Sequence, residues 1–160
     1  FFKIEIYKGW MMEWNENYNI GIDVIDNQHR QILDYINALE SIRGSGERDK
    51  IREVLNDLID YTQSHFSFEE NLLEQVHYQY LPSHKGIHQL FVNRLNDYRQ
   101  KFELGESVEN DLHRLLSKWL INHIQHDDQD YVDSVRDNML HYLRVQEQKK
   151  GKSWFSRFFS

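Results

Sequence analysis

Residues 51–76 read IREVLNDLIDYTQSHFSFEENLLEQV, and their rhythm decides the fold. Ile51, Leu55, Leu58, Thr62, His65, Glu69, Leu72 and Val76 follow one another in alternating steps of four and three, the spacing that lines one face of an α-helix. That face carries His65 and Glu69 inward among aliphatic side chains. The same rhythm precedes it in Ile22, Ile25, His29, Ile32, Ile36 and Leu39, with Arg43-Gly44-Ser45-Gly46 as the intervening loop. After it, His84, His88, Phe91, Leu95, Tyr98 and Phe102 share one face of a third helix. Pro82, the only proline, suits its first turn, and Gly105 suits its end. Ser107 is placed to cap a fourth helix, whose broad inward arc holds Leu112, Leu116, Trp119, Leu120, His123, Ile124, Asp128, Tyr131 and Val135. Four helices on short loops predict an all-α fold, an up-down-up-down antiparallel four-helix bundle.

Composition bounds what such a bundle can be. At 160 residues one domain with a real core fits, whereas two would both be small. Lys and Arg total 19 against 26 Asp and Glu, a formal charge of −7, and no basic stripe runs along the main body. Nucleic acid is therefore not an expected partner. The absence of cysteine removes disulfides, thiolate nucleophiles and thiolate-held metals, so imidazole and oxygen must hold any metal. No apolar run approaches the roughly 18 residues that cross a bilayer, and the start FFKIEIYKGW lacks the features of an export signal. The expectation is a soluble, monomeric, cytoplasmic protein.

Residues 1–11 read as a leader or non-native extension, because the chain starts at Phe1 while Met11 and Met12 stand just before the segment that reads as structure. Residues 12–145 are expected to form the bundle, and residues 146–160 a basic aromatic tail. In that tail Lys149, Lys150, Lys152 and Arg157 alternate with Trp154, Phe155, Phe158 and Phe159. Residues 149–160 could rest on an anionic membrane surface, dock on a protein groove, or fold their rings back on the bundle.

The polar residues on the apolar stripes carry the chemistry. His65 with Glu69, and His84 with His88, are four apart and so differ by about 40° in direction, each pair closing on one point in the core. A lone buried histidine is ordinarily a hydrogen-bonded core residue. Here each of four helices brings one or two metal-ligating groups inward, and an unpaired buried polar group costs on the order of 1 to 3 kcal/mol. Seven such groups would threaten a domain whose net stability is about 5 to 15 kcal/mol, and metal coordination offsets the penalty. Two bridging carboxylates and one solvent oxygen would give each of two ions three bonds. Three histidines then complete one ion, and two leave the other a position short. That arrangement suits an iron pair better than tetrahedral zinc in a structural site. On the fourth helix His123 and Asp128 are five apart, roughly 140° around an ideal helix. Asp127, and the pair His126 with Asp130, rival them, and spacing leaves the carboxylate divided between Asp127 and Asp128.

A Trp and a Tyr ahead of IGIDVIDNQH (20–29), then HFSFEE (65–70), HKGIH (84–88) and WLINHIQHDDQDY (119–131) resemble the hemerythrin family, in particular its single-domain bacterial members. The resemblance runs from about Trp14 to Tyr131. It implies that His84, His88 and His123 hold one iron, that His29 and His65 hold the other, and that Glu69 and Asp128 bridge them beside an oxo or hydroxo group. It selects Asp128 over Asp127. It further implies reversible dioxygen binding rather than enzymatic turnover, in a dry pocket at Ile32, Phe66, Trp119, Leu120, Ile124 and Tyr131. The alternatives are a di-iron redox enzyme that reduces peroxide, oxidises ferrous ion or processes nitric oxide, and an oxygen- or redox-sensing interaction module.

Overall fold

A computed structural model describes residues 11–150, side chains towards the end of the last helix excepted. After a short 3₁₀ turn at Glu16–Tyr18 come α1 (Asp23–Ile42), α2 (Arg48–Gln75), α3 (Leu81–Glu103) and α4 (Glu109–Asn122). A π-helical turn (His123–Asp128) then joins α4 to α5 (Gln129–Lys150). The backbone stays right-handed helical through both junctions, so α4, the π turn and α5 form one continuous rod. Four rods make the antiparallel bundle, with no strand among the described residues; α1 packs against α2 and α4, and α2 against α3.

The predicted stripes are the buried faces. Ile25, Ile36, Leu39, Leu55, Leu58, Leu73, Leu95, Phe102 and Leu112 are almost wholly shielded from water, each buried aliphatic side chain contributing about 1.5 to 3 kcal/mol. Pro82 lies in the first turn of α3 as expected. Ser107 does not cap α4. Val108 occupies the cap position, while the Ser107 hydroxyl bonds the Glu109 carboxylate at 3.0 Å.

Both long helix ends next to the third rod close in the same way. At α3 the N–H of Glu106 reaches the carbonyl of Lys101 and that of Gly105 the carbonyl of Phe102, with Gly105 at φ 93°. At α2 the N–H of Tyr78 reaches Leu73 and that of His77 reaches Glu74, with His77 at φ 57°. The pattern is a Schellman closure, which usually places glycine at the left-handed position. His77 fills it here.

Before α1 the chain is tied down. The backbone N–H of Met12 donates to Asn37 Oδ1, and Asn37 Nδ2 donates back to the Met12 carbonyl, both at 2.8 Å. Buried Asp26 then accepts the backbone N–H of Ile20 at 2.8 Å and of Gly21 at 3.1 Å. This clamp fixes how the chain enters α1, one turn ahead of His29. The greater part of the predicted leader, residues 1–10, and the tail from residue 151 lie outside the described residues.

Candidate metal centre

The fourth rod carries an extra residue at the decisive place. The N–H of Gln129 donates to the carbonyl of Ile124, five residues back, so the turn between His123 and Asp128 is wider than an α-turn. A π turn spends one more residue on one revolution, and residue i+5 takes up roughly the direction that i+4 has in an α-helix. His123, Ile124 and Asp128 are therefore buried together, while Gln125 and His126 face water. The 140° separation expected for an ideal helix does not apply.

All seven predicted residues converge, each at most 4% exposed. Their ligating atoms form two overlapping groups. One contains Glu69, His84, His88, His123 and Asp128; the other contains His29, His65, Glu69 and Asp128; within each group the atoms lie within 4.8 Å of one another. The two carboxylates belong to both, and each divides its oxygens between them. Asp128 Oδ1 lies 3.0 Å from His123 Nε2 and 3.5 Å from His84 Nε2, while its Oδ2 lies 3.0 Å from His29 Nε2. Glu69 Oε1 contacts His84 and lies 3.7 Å from His88, while its Oε2 lies 3.4 Å from His65. That is the arrangement by which a carboxylate spans two cations.

Outward ring nitrogens fix the rings. His65 Nδ1 donates to Gln28 Oε1 at 2.7 Å, His88 Nδ1 to Glu70 Oε1 at 2.8 Å, and His123 Nδ1 to Asp127 Oδ2 at 2.9 Å. Such bonds orient an imidazole and leave Nε2 facing the centre. Asp127 therefore lies behind His123, on the far side of the ring from Asp128. His126 bonds the Asn122 carbonyl and Asp130 is exposed, so neither joins the cluster. Gln28 and Glu70 were not anticipated. Each follows or precedes a candidate ligand in sequence but serves a histidine on another helix, which periodicity along one helix does not reveal.

Burial, reinforced by His123 and His84, pushes the His88 imidazole down to about 2, and burial with His29 holds His65 well below the usual histidine range. Both are neutral at pH 7, with lone pairs free for a cation. For His123 burial pulls downward too, yet Asp128 and Asp127 raise it to about 10. Asp128, although buried, is held well below the usual carboxylate range by His123 and His29, and burial beside Asp128 pushes Glu69 up. Without a metal, one proton on His123 stands in for the missing positive charge. His65 Nε2 and Glu69 Oε2 make no hydrogen bond, although both are buried. A pair of cations would satisfy them, so the residues fit the two metal ions that their chemistry implies.

The predicted pocket residues differ in burial and in what they touch. Ile32, Phe66, Leu120, Ile124 and Tyr131 are buried, and Trp119 is half-buried. Phe66 stacks on His88 at 3.8 Å, Trp119 stacks on His123 at 4.3 Å, and Tyr131 meets His84 edge-on at 5.5 Å. Phe91, read in the sequence as core alone, stacks on Trp119 at 3.6 Å and extends the column.

A family profile, the hemerythrin HHE cation-binding domain, matches residues 20–135. The chain belongs to the hemerythrin family. It is 46% identical to a bacteriohemerythrin of Pseudomonas paraeruginosa over 144 residues, covering 90% of this chain and 92% of that one. With a bacteriohemerythrin of Stenotrophomonas maltophilia it shares 41% over 147 residues, covering 92% and 94%. A crystal structure of wild-type hemerythrin superposes with a TM-score of 0.74 at 31% identity, covering 78% of this chain and 98% of the other. In this chain the residues of the family-like motifs and the side chains that converge are the same.

Proposed function

We propose that this chain binds dioxygen reversibly at a pair of non-haem iron ions inside the bundle, for storage, delivery or sensing of oxygen. His84, His88 and His123 would hold one ion and His29 and His65 the other, with Glu69 and Asp128 bridging beside an oxo or hydroxo group. The observation that carries this reading is the division of each carboxylate's oxygens between a group with three histidines and a group with two. When bound, the iron pair supplies an open position and two reducing equivalents for dioxygen. The chain's own work is to hold and to exclude. Gln28, Glu70 and Asp127 keep three imidazoles aimed inward, while Ile32, Phe66, Trp119, Leu120, Ile124 and Tyr131 keep water from the site. A carrier needs that dryness, because protons and outside reductants turn binding into consumption.

The unit proposed to do this is the bundle at 12–145, acting without catalytic turnover. Among the described residues no helix is long and apolar enough to cross a membrane. The test is metal analysis with absorption spectra through oxygenation and deoxygenation. Two irons per chain and a charge-transfer band that appears and disappears with oxygen are expected. Absence of stoichiometric iron removes the proposal.

A second reading, a di-iron redox enzyme, draws on one observation. A cleft of about 350 Å³ between Tyr78, Ser83, Ile87 and Asp130 reaches His84 and Asp127. It offers water and reductant an approach. Irreversible bleaching with turnover of a reductant would favour this enzyme over the carrier.

A further inference from the structure

We propose that the groove between α3 and α4 binds a small planar aromatic anion. The groove has a volume of about 630 Å³, within the roughly 300 to 1,000 Å³ of small-molecule sites. Three cations line it, Arg94 from α3 and Arg114 and Lys118 from α4, against one acid, Asp111. None of the three cations has an ion-pair or hydrogen-bond partner among the described residues, whereas Arg43, Lys50 and Arg52 are each paired with a carboxylate. In a chain of net charge −7, three unpaired cations around one concavity call for negative charge from outside.

The rings define the rest of the ligand. Tyr98 and Trp119 are both half-buried in the wall. Trp119 is stacked near-parallel between Phe91 and His123, so its two faces are taken and its edge is turned to the groove. An indole edge is the positive rim of the ring quadrupole and carries the N–H donor, which favours an anion or a carbonyl-bearing heterocycle there. Leu115 supplies apolar contact beside it. A flat ring with a phosphate satisfies both halves, with the phosphate among the cations and the ring along Tyr98, Leu115 and the Trp119 edge.

The test uses the purified full chain and flavin mononucleotide as the probe, followed by calorimetry and by quenching of flavin and tryptophan emission. Riboflavin, the same ring without phosphate, and inorganic phosphate, the charge without the ring, are the comparison arms. Flavin mononucleotide is expected to bind at least about tenfold more tightly than either comparison arm, because a charge-assisted contact and the ring contact are both needed. The double variant Arg114→Glu with Lys118→Glu is expected to weaken it by more than about tenfold with helical circular dichroism unchanged, both side chains being exposed. The milder Arg114→Gln with Lys118→Gln should weaken it in the same direction. Absence of binding, equal binding of riboflavin, equal binding of phosphate, or a double variant that binds like the parent would each overturn the proposal.

Discussion

His123 is held between neighbouring carboxylates, with Asp127 Oδ2 2.9 Å from its Nδ1 and Asp128 Oδ1 3.0 Å from its Nε2. Only the second faces the other donors. Asp127 thus acts by orienting the ring, and Asp127→Ala should lower metal affinity by about 10- to 100-fold while leaving two ions per chain at saturation. Competition against a chelator of known affinity measures the loss. Unchanged affinity would mean that packing against Trp119 alone fixes the ring.

The same two carboxylates give metal loading a pH signature. His123 is raised to about 10 in the metal-free chain, so at pH 8 its Nε2 carries a proton that a cation must displace. Close to one proton per chain should be released from this ring at pH 8, falling away as the pH rises through 10. Divalent-metal titrations in buffers of different ionisation enthalpy count it directly.

Stability of the metal-free chain follows from the same shifts with the sign worked out. A raised histidine stabilises fully below its unfolded value of 6.5, and the contribution is lost as pH climbs through about 10. His88, depressed to about 2, and His65, also depressed, act in reverse: below 6.5 the unfolded chain takes protons that the folded chain refuses. As far as these three rings decide it, the metal-free bundle should be most stable near pH 6.5 and lose stability in both directions. Thermal midpoints across pH 4 to 10 test the shape, and a flat profile would contradict it.

The matched helix closures at Gly105 and His77 make a paired experiment. Left-handed backbone costs a non-glycine residue about 1 to 2 kcal/mol, partly offset by glycine's greater freedom when unfolded. His77→Gly should therefore stabilise the metal-free protein by about 0.5 to 1 kcal/mol, and Gly105→Ala should destabilise it by about 1 kcal/mol. Urea denaturation reads both. A destabilised His77→Gly would show that the imidazole makes a native contact worth more than the strain.

Leu120 is 1% exposed and precedes His123 by three residues. Leu120→Ser removes apolar volume and introduces a hydroxyl, which should cost roughly 2 to 4 kcal/mol of stability. On the carrier reading the oxygenated form should also autoxidise faster as water enters. An unchanged lifetime of that form would show that Leu120 does not guard the site.

Much of this architecture was legible from apolar spacing because three of the four donor-bearing stripes, those of α1, α2 and α3, keep to α-helical period. Ile51 to Leu72 gave His65 and Glu69 their direction without any knowledge of neighbours. Two things were not legible from spacing alone. Gln28 and Glu70 act across helix boundaries, on His65 and His88, and a relation between helices has no signature along one of them. The choice between Asp127 and Asp128 depended on a backbone irregularity, since α-geometry favours the residue four positions from His123 and the π turn favours the fifth.

That irregularity can be tested by removing it. Gln125 is exposed within the π turn, and deleting it would restore an unbroken α-helix in which Asp128 stands four residues after His123. Tyr131, Val132 and Val135 would keep their inward direction, displaced along the axis by about 1.5 Å. Deleting the exposed Arg114 from the regular part of α4 would instead turn everything beyond it by about 100° and swing Leu120, His123 and Ile124 off the buried face. The Gln125 deletion should therefore fold cooperatively with near-parent helical dichroism yet bind fewer than two ions, because ligand distances tolerate only a few tenths of an ångström. The Arg114 deletion should lose the cooperative transition itself. If both deletions unfold alike, the extra residue is not a register-neutral insertion, and if the Gln125 deletion binds two ions as tightly as the parent, the wide turn is not what brings Asp128 to the centre.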